Sequence, residues 1–476
     1  MDDPPPPTPS SIIPSPGHAS TGQENERTGK VRPIGLRNLA TILLLGTTGQ
    51  IAWLLENNWF NVFVYDEITT DPAPIAWMVG VSAIVATITT LVMGTVSDRT
   101  RGRFGKRKPF IVFGYVIWGI ITAIFPLVDW IQDVGIAVVM VVIVDAVMTF
   151  FGSTANDAAL NAWITDIGHS SNRNRIQSLN SITALLASVV GLGLAGIMIQ
   201  ALGYFIFFYL LGGIVTASGI IAMALIPSPE QVPAPEEVLQ GQQRGSIWHE
   251  FTTLVDPRVL RENRTLFLLF INMAISGIAA QVYTPYLFIF VENYLGLTKD
   301  VLSVYMIFIL GITLVVLAIV GMVSHRFNRR TLIVAGTITG GIFMVLAGIV
   351  VPSLKAMPEA IPLALGLYVL GMVPGLAAGV AHGGWLQETY PSGNVGKFQG
   401  VRMIFMVLLP MVIGPGIGAA VISTFGIPDG TGGFIPTPEI FLAGGVISLF
   451  ALVPILLINK AEGLVKLDKG NDHGSK

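Results

Sequence analysis

Three carboxylates, Glu56, Asp145 and Asp157, stand in stretches of sequence that are otherwise apolar. An ionisable group among apolar residues is costly unless it faces a cavity or a partner, so each is a functional candidate. Desolvation favours the neutral form of a carboxylic acid, which lets such a group bind and release a proton near neutrality. All three are therefore candidate proton carriers. Glu56 comes first, because no basic residue stands near it in the chain. Amides and rings accompany them at helical spacing. Gly46, Gln50, Trp53, Asn57 and Asn61 form one narrow stripe with Glu56 on its flank. Asp145, Thr149, Gly152, Asn156 and Trp163 form a second, with Asp157 to one side. Asn272, Ser276, Ala279 and Tyr283, with Tyr286 beside them, form a third, and Gly371, Pro374, His382 and Trp385 share a fourth face. Rings can stack on the C–H faces of a polyol while amides and carboxylates take its hydroxyls. Gln50, Trp53, Asn57, Asn61, Asn156, Tyr283, Tyr286, His382 and Trp385 are accordingly candidate binding residues. Each type also has a plainer use: interhelical hydrogen bonding for the asparagines, a satisfied core position for His382, and packing for the rings.

Long apolar segments must position these groups. The chain has 476 residues, 52% hydrophobic and 12% charged, whereas an average soluble domain is about 25% charged. A soluble fold of this length would lack polar surface. Its 53 glycines suit close helix packing in lipid. The absence of cysteine excludes disulfides, thiolate metal sites and thiol nucleophiles. Segments long enough to cross a bilayer fall at 38–64, 74–96, 110–128, 134–160, 178–200, 203–226, 265–291, 301–324, 331–352, 361–386, 398–424 and 437–459. The expectation is an all-α membrane protein of twelve transmembrane helices, with halves at 38–226 and 265–459. Residues 1–37, which include PPPPTPSSIIPSPG and no signal-peptide core, read as a disordered tail, 227–264 as a linker, and 460–476 as a second tail. If both tails are cytoplasmic, Lys299 and Lys355 are the only ones of the 27 Lys and Arg on the outer side, as the positive-inside rule requires.

The halves repeat each other. Trp163, Asp166, Arg175 and Gln177 recur as Trp385, Glu388, Lys397 and Gln399 at a constant offset of 222, and Gly94-Thr-Val-Ser-Asp98-Arg99 recurs as Gly321-Met-Val-Ser-His325-Arg326 at an offset of 227. Such symmetry is common in secondary transporters. The loop after the second segment, SDRTRGRFGKRKPFI, resembles the signature loop of the major facilitator superfamily. The longer string is similar to the loop of sucrose–proton symporters and of the glycoside–pentoside–hexuronide cation symporters. The resemblance implies a major facilitator fold with cytoplasmic termini and a proton-coupled symporter of a sugar or glycoside. It also implies a cytoplasmic gate of Gly94, Asp98, Arg99, Arg103, Asp166, Arg326 and Glu388, in which Arg99 and Arg103 could pair with Asp166. Lys106, Arg107 and Lys108 read as an anchor for anionic lipid. Two departures matter. Ala86 and Thr90 occupy the places where sodium-coupled glycoside symporters carry aspartates, and 145–160 holds no basic residue where sucrose symporters carry an arginine. Protons are favoured over sodium, and sucrose itself is disfavoured.

A rival reading is a proton-coupled exporter of amphipathic or drug-like compounds. Such antiporters carry a Gly-Pro motif in helix five, where this chain has SVVGLGLAGIMIQ without proline. An enzyme is disfavoured: no Walker-type loop is present, and GLGLAG at 191–196 lies mid-membrane, where it suits helix packing rather than a nucleotide. No metal-ligand spacing and no cofactor motif occurs. The expected setting is the cell membrane, as a multi-pass monomer whose partners are lipid, protons and a small molecule, with no nucleic acid.

Overall fold

The computed structural model describes residues 35–100, 102, 104–168, 173–227, 263–323, 326–355, 357–390 and 401–458. The proline-rich tail, nearly all of the 227–264 linker, the 460–476 tail, Arg103, His325, Lys397 and Gln399 lie outside these residues. Eleven continuous helical stretches are long and apolar enough to cross a membrane. They are α1 (Leu36–Ile68), α2 (Ala73–Arg99), α3 (Lys108–Trp130), α4 (Val134–Ile167), a stretch ending at Leu225, α7 (Arg264–Tyr294), α8 (Lys299–Val323), α9 (Arg329–Leu354), α10 (Ile361–Thr389), α11 (Val401–Phe425) and α12 (Glu439–Leu456). The stretch ending at Leu225 is 51 residues long; a straight helix of that length would be about 75 Å long, far more than a bilayer. It breaks at Gly203, whose φ of 79° and ψ of 167° are open to glycine. The two arms, α5 (173–202) and α6 (204–225), bring the crossings to twelve.

Local sequence explains the ends. Asp133 accepts the backbone N–H of Ile136 at 2.9 Å to start α4, and Asn328 accepts that of Arg330 at 2.9 Å to start α9. Prolines near the first turns of α2, α3 and α10 give up no hydrogen bond there. One element departs from the all-helical expectation. Between α11 and α12 a two-stranded hairpin pairs β1 (Ile427–Pro428) with β2 (Phe434–Ile435). Gly430 and Gly432 take positive φ in its loop. Asp429 accepts hydrogen bonds there from the Thr431 and Gly433 N–H groups and the Thr431 hydroxyl. The Thr70 hydroxyl first, and then those bonds, hold its carboxyl below the usual range.

The packing repeats between halves. α3 lies on α6 as α9 lies on α12; α1 lies on α5 as α7 lies on α11; α2 lies on α4 as α8 lies on α10. The halves meet through α2 with α11, α5 with α8, and α1 with α7. Glycine permits the closest approaches. A Cβ at Gly119 of α3 would collide with the backbone of Gly212 and Thr216 on α6, and one at Gly212 with Gly119 and Ala123, whereas one at Gly213 meets nothing within 4 Å. Gly119→Val and Gly212→Val are therefore expected to cost at least about 1–3 kcal/mol, read as a lower melting temperature of the detergent-solubilised protein, with Gly213→Val unchanged as control. Equal melting of all three would refute the α3–α6 contact.

Candidate functional site

The first half holds a small polar site. The Glu56 carboxylate accepts a hydrogen bond from the Thr149 hydroxyl at 3.0 Å, and Asp145 accepts one from Ser82. Each acid leaves one oxygen, Glu56 Oε2 and Asp145 Oδ1, buried with no partner. Both line a cavity of about 40 Å³ together with Asn57, Met78, Ala86 and Met411. None of the ion pairs among the described residues involves Glu56, Asp145 or Asp157. Asp157 lies to one side and accepts from the Asn156 amide at 2.9 Å.

Two helices carry widened, π-helical turns beside this site: the turn Glu56–Phe60 of α1 begins at Glu56 itself, and the turn Ser153–Leu160 of α4 holds Asn156 and Asp157. Such turns occur often at functional positions because they re-aim side chains and free backbone carbonyls. Asparagines answer those carbonyls. Asn57 donates to Trp53 at 2.7 Å, Asn58 to Leu54 at 2.8 Å and Asn61 to Asn57 at 3.0 Å. These amides therefore bond back along their own helix, not across to another. Asn61 is fully buried with its Oδ1 unpartnered. Asn156 knits three helices: the Tyr115 hydroxyl of α3 lies 2.9 Å from its Oδ1 and 2.8 Å from the Leu45 carbonyl of α1. A Cβ at Gly49 would strike both Asn156 and Tyr115. Trp53 packs on Trp118 with ring centroids 5.1 Å apart, and its indole N–H turns toward Asp157 without closing a hydrogen bond. Gln50 is exposed.

A larger cavity of about 480 Å³ lies in the second half between α7, α9, α10, α11 and α12. Tyr283 and His382 line it. The His382 Nε2 is 3.1 Å from the Leu269 carbonyl, which can only accept, so Nε2 carries the proton and ties α10 to α7. Tyr286 and Trp385 do not line either cavity. The Tyr286 hydroxyl sits between the Pro72 carbonyl at 3.2 Å and the Pro415 carbonyl at 3.0 Å, and Trp385 is packed with Leu269, Phe270 and Ile333. α7 breaks into a tight turn at Thr284–Tyr286, around Pro285. That turn packs on Glu56–Phe60 of α1, and Thr284 within it lines the larger cavity.

At the basic end the pairing differs from the sequence expectation. Asp98 is held by Arg107, which also bonds Ser97 and stands 3.3 Å from Asp166. Lys106 reaches Asp166 at 3.0 Å, and Arg99 is exposed. In the second half Glu388 is held by Arg329, not Arg326, which is also exposed. Arg107 and Asp166 stand 222 positions before Arg329 and Glu388, so the two pairs occupy the same place in each repeat. Gly94, in the last turns of α2, has open space around it. All of these pairs stay within one half.

Every described hydrogen bond or ion pair between halves sits at the opposite end. Lys299 at the start of α8 is 2.9 Å from Asp66 at the end of α1, and also holds Glu292 of α7. Asp66 accepts from the Tyr204 hydroxyl at 2.6 Å. The hairpin adds the Tyr65 hydroxyl on the Phe434 carbonyl at 3.1 Å, the Phe434 N–H on the Thr70 carbonyl at 3.2 Å, and Thr70 against Thr431 at 3.2 Å. Sequence reading missed Ser82, one helical turn before Ala86, and the Asp66–Lys299 pair. The one available signal for that pair was Lys299, a rare cation on the otherwise acidic side.

A family profile described as Major Facilitator Superfamily matches residues 42–383. Among solved structures, a bacterial homologue of the human lysosomal transporter Spinster, inward-facing and unoccupied, is similar at a TM-score of 0.68 and 14% identity, covering 90% of this chain and 97% of that one. A D-xylose–proton symporter is similar at 0.62 and 15% identity, covering 89% and 99%. The nucleoside transporter NupG follows at 0.59 and 17% identity, covering 90% and 100%. At these identities the likeness is one of fold. Twelve crossings in two matching halves and a profile match over most of the chain agree: this protein belongs to the Major Facilitator Superfamily of membrane transporters.

Proposed function

We propose that the chain is a proton-coupled symporter of an uncharged sugar or glycoside that works by alternating access. The observation that carries this reading is the Glu56–Asp145 pair, two buried acids lining one cavity of about 40 Å³ with no cation to offset them. Two bare negative charges in so small a buried space would cost many kcal/mol. The pair therefore holds at least one proton while the cavity is closed, and water or substrate reaching Oε2 or Oδ1 lets it leave. Among the described residues the larger cavity is lined by no Asp, Glu, Lys or Arg, which fits a neutral substrate. Ala86 forms part of the small cavity's wall, so the acids come from α1 and α4 in place of α2.

The arrangement of bonds supplies the gate. The halves are joined at the end carrying Lys299 and the hairpin, which is the outer end if the basic loops are cytoplasmic. Opening that end must part Lys299 from Asp66. Lys299 then keeps Glu292 on its own half and Asp66 keeps Tyr204 on the other. Neither charge is left alone, which lowers the cost of each opening. The apolar character of the larger cavity favours a second reading, export of amphipathic compounds against protons, and the direction of coupled proton movement separates the two.

In proteoliposomes with an imposed pH gradient, a panel of sugars and glycosides is expected to include one that moves protons in the same direction as itself; proton movement evoked only by drug-like compounds supports the exporter instead. Glu56→Gln and Asp145→Asn are each expected to reduce gradient-driven accumulation to that of protein-free vesicles while keeping substrate exchange. Accumulation equal to the unaltered protein in both variants would remove the acids from coupling. Because the chain contains no cysteine, Thr70→Cys combined with Thr431→Cys makes a clean lock: oxidation is expected to stop transport and reductant to restore it. Full cross-linking with undiminished transport would rule out opening at this end.

A further inference from the structure

We propose that Met411 of α11 is the proton gate: its side chain closes the acid cavity and withdraws with the second half when α11 parts from α2, so that Glu56 and Asp145 meet bulk water only then. This rests on the reading above in one respect, that the two acids carry the proton. Among the described residues that line their cavity, Met411 alone comes from the second half, and the rest come from α1, α2 and α4. Alternating access moves one half against the other, so the wall from α11 is the one that such a movement takes away. A thioether suits that wall. It is apolar and adapts its shape to its surroundings, and it carries no proton to pass on. Behind it, in a space of about 40 Å³, Glu56 Oε2 and Asp145 Oδ1 are buried without partners.

Close packing ties Met411 to its own half. The preceding residue, Pro410, seats its ring where a Cβ at Gly277 of α7 would stand. One and two turns further along α11, a Cβ at Gly414 would strike Gln281, and one at Gly418 would strike the Val282 carbonyl and Tyr286, all of α7. The seam with α2 is built differently. A Cβ at Gly80, beside the cavity-lining Val79, would lie 3.8 Å from the Val412 Cα and 3.9 Å from the Met411 carbonyl. The two backbones thus leave room for a methyl group where α2 meets α11, whereas α7 and α11 leave none. When the halves part, α11 stays on α7 and leaves α2, and Met411 goes with it.

Two measurements test the gate. In proteoliposomes with an imposed pH gradient and no substrate, Met411→Ala is expected to admit protons several-fold faster than the unaltered protein. Met411→Leu, which keeps the apolar volume, is expected to restore the seal, and Glu56→Gln with Asp145→Asn, added to Met411→Ala, to stop the leak. A folded Met411→Ala protein, judged by its melting temperature, that is as tight as the unaltered one overturns the gate; so does a leak that survives removal of both acids. The second measurement does not depend on the alanine variant. The chain has no cysteine, so Met411→Cys supplies a single thiol. Gly433→Ala places a Cβ against Thr70 of the other half and so loosens the end that joins the halves. It is expected to raise several-fold the rate at which a membrane-impermeant methanethiosulfonate, added on the hairpin side, labels the Met411→Cys protein. Equal labelling with and without Gly433→Ala overturns the gate. Sugar-evoked proton movement by the unaltered protein bears on symport alone: its presence beside a tight Met411→Ala leaves symport standing without the gate, and its absence removes symport while leak and labelling still decide the gate.

Discussion

In hydrocarbon, a backbone carbonyl without a donor costs several kcal/mol, so a membrane-spanning chain has almost no freedom to depart from helix. Every functional feature of this protein is built inside that constraint. The widened turns at Glu56–Phe60 and Ser153–Leu160 are departures from regular helix, and the departure in α1 is tolerated because asparagine amides from the same helix cover its carbonyls. The amides that look like ligands for a substrate are thus first the supports of the backbone that aims Glu56. Asn57 does both, since it bonds Trp53 and also lines the carboxylate cavity.

The duplication is close where it serves structure and has diverged where it serves chemistry. Helix contacts repeat pair by pair, and Arg107–Asp166 and Arg329–Glu388 tie the same two loops in each half. The interiors do not match. One half encloses acids and amides in a space close to the size of a water molecule, and the other encloses methionines and glycines in a space about ten times larger. Symmetric frames thus enclose unlike interiors, one acidic and one rich in methionine.

Much of the fold was legible in the sequence because its signals are long and additive. Twelve apolar runs and the placement of Lys and Arg need no tertiary knowledge, and the 222-residue offset needs only comparison. Glu56 and Asp145 were legible because a charge in an apolar run stands out. Their neighbours were not: Ser82 is an unremarked hydroxyl in a helix, and its bond to Asp145 depends on how α2 meets α4. The basic loop shows the limit well. Arg99, Arg103, Lys106, Arg107 and Lys108 carry the same charge on paper, and only the folded loop, with its turn at Gly105 of φ 82°, shows that Arg107 reaches Asp98 and Ser97. Tyr286 and Trp385 were placed on the right helices, but helix phase alone could not say that a break at Pro285 would turn one tyrosine to the cavity and the next to Pro72.

The break at Gly203 has a consequence for how the protein is made. From Ile176 to Ile226 the chain carries no charged residue, and its far turn is essentially one glycine in an extended, positive-φ conformation. Helices α5 and α6 can therefore enter the bilayer together as a hairpin, carrying no charge through the hydrocarbon and leaving no loop to be translocated. With no slack between them, the helix that faces the second half and the helix that packs on α3 arrive, and afterwards move, as one piece.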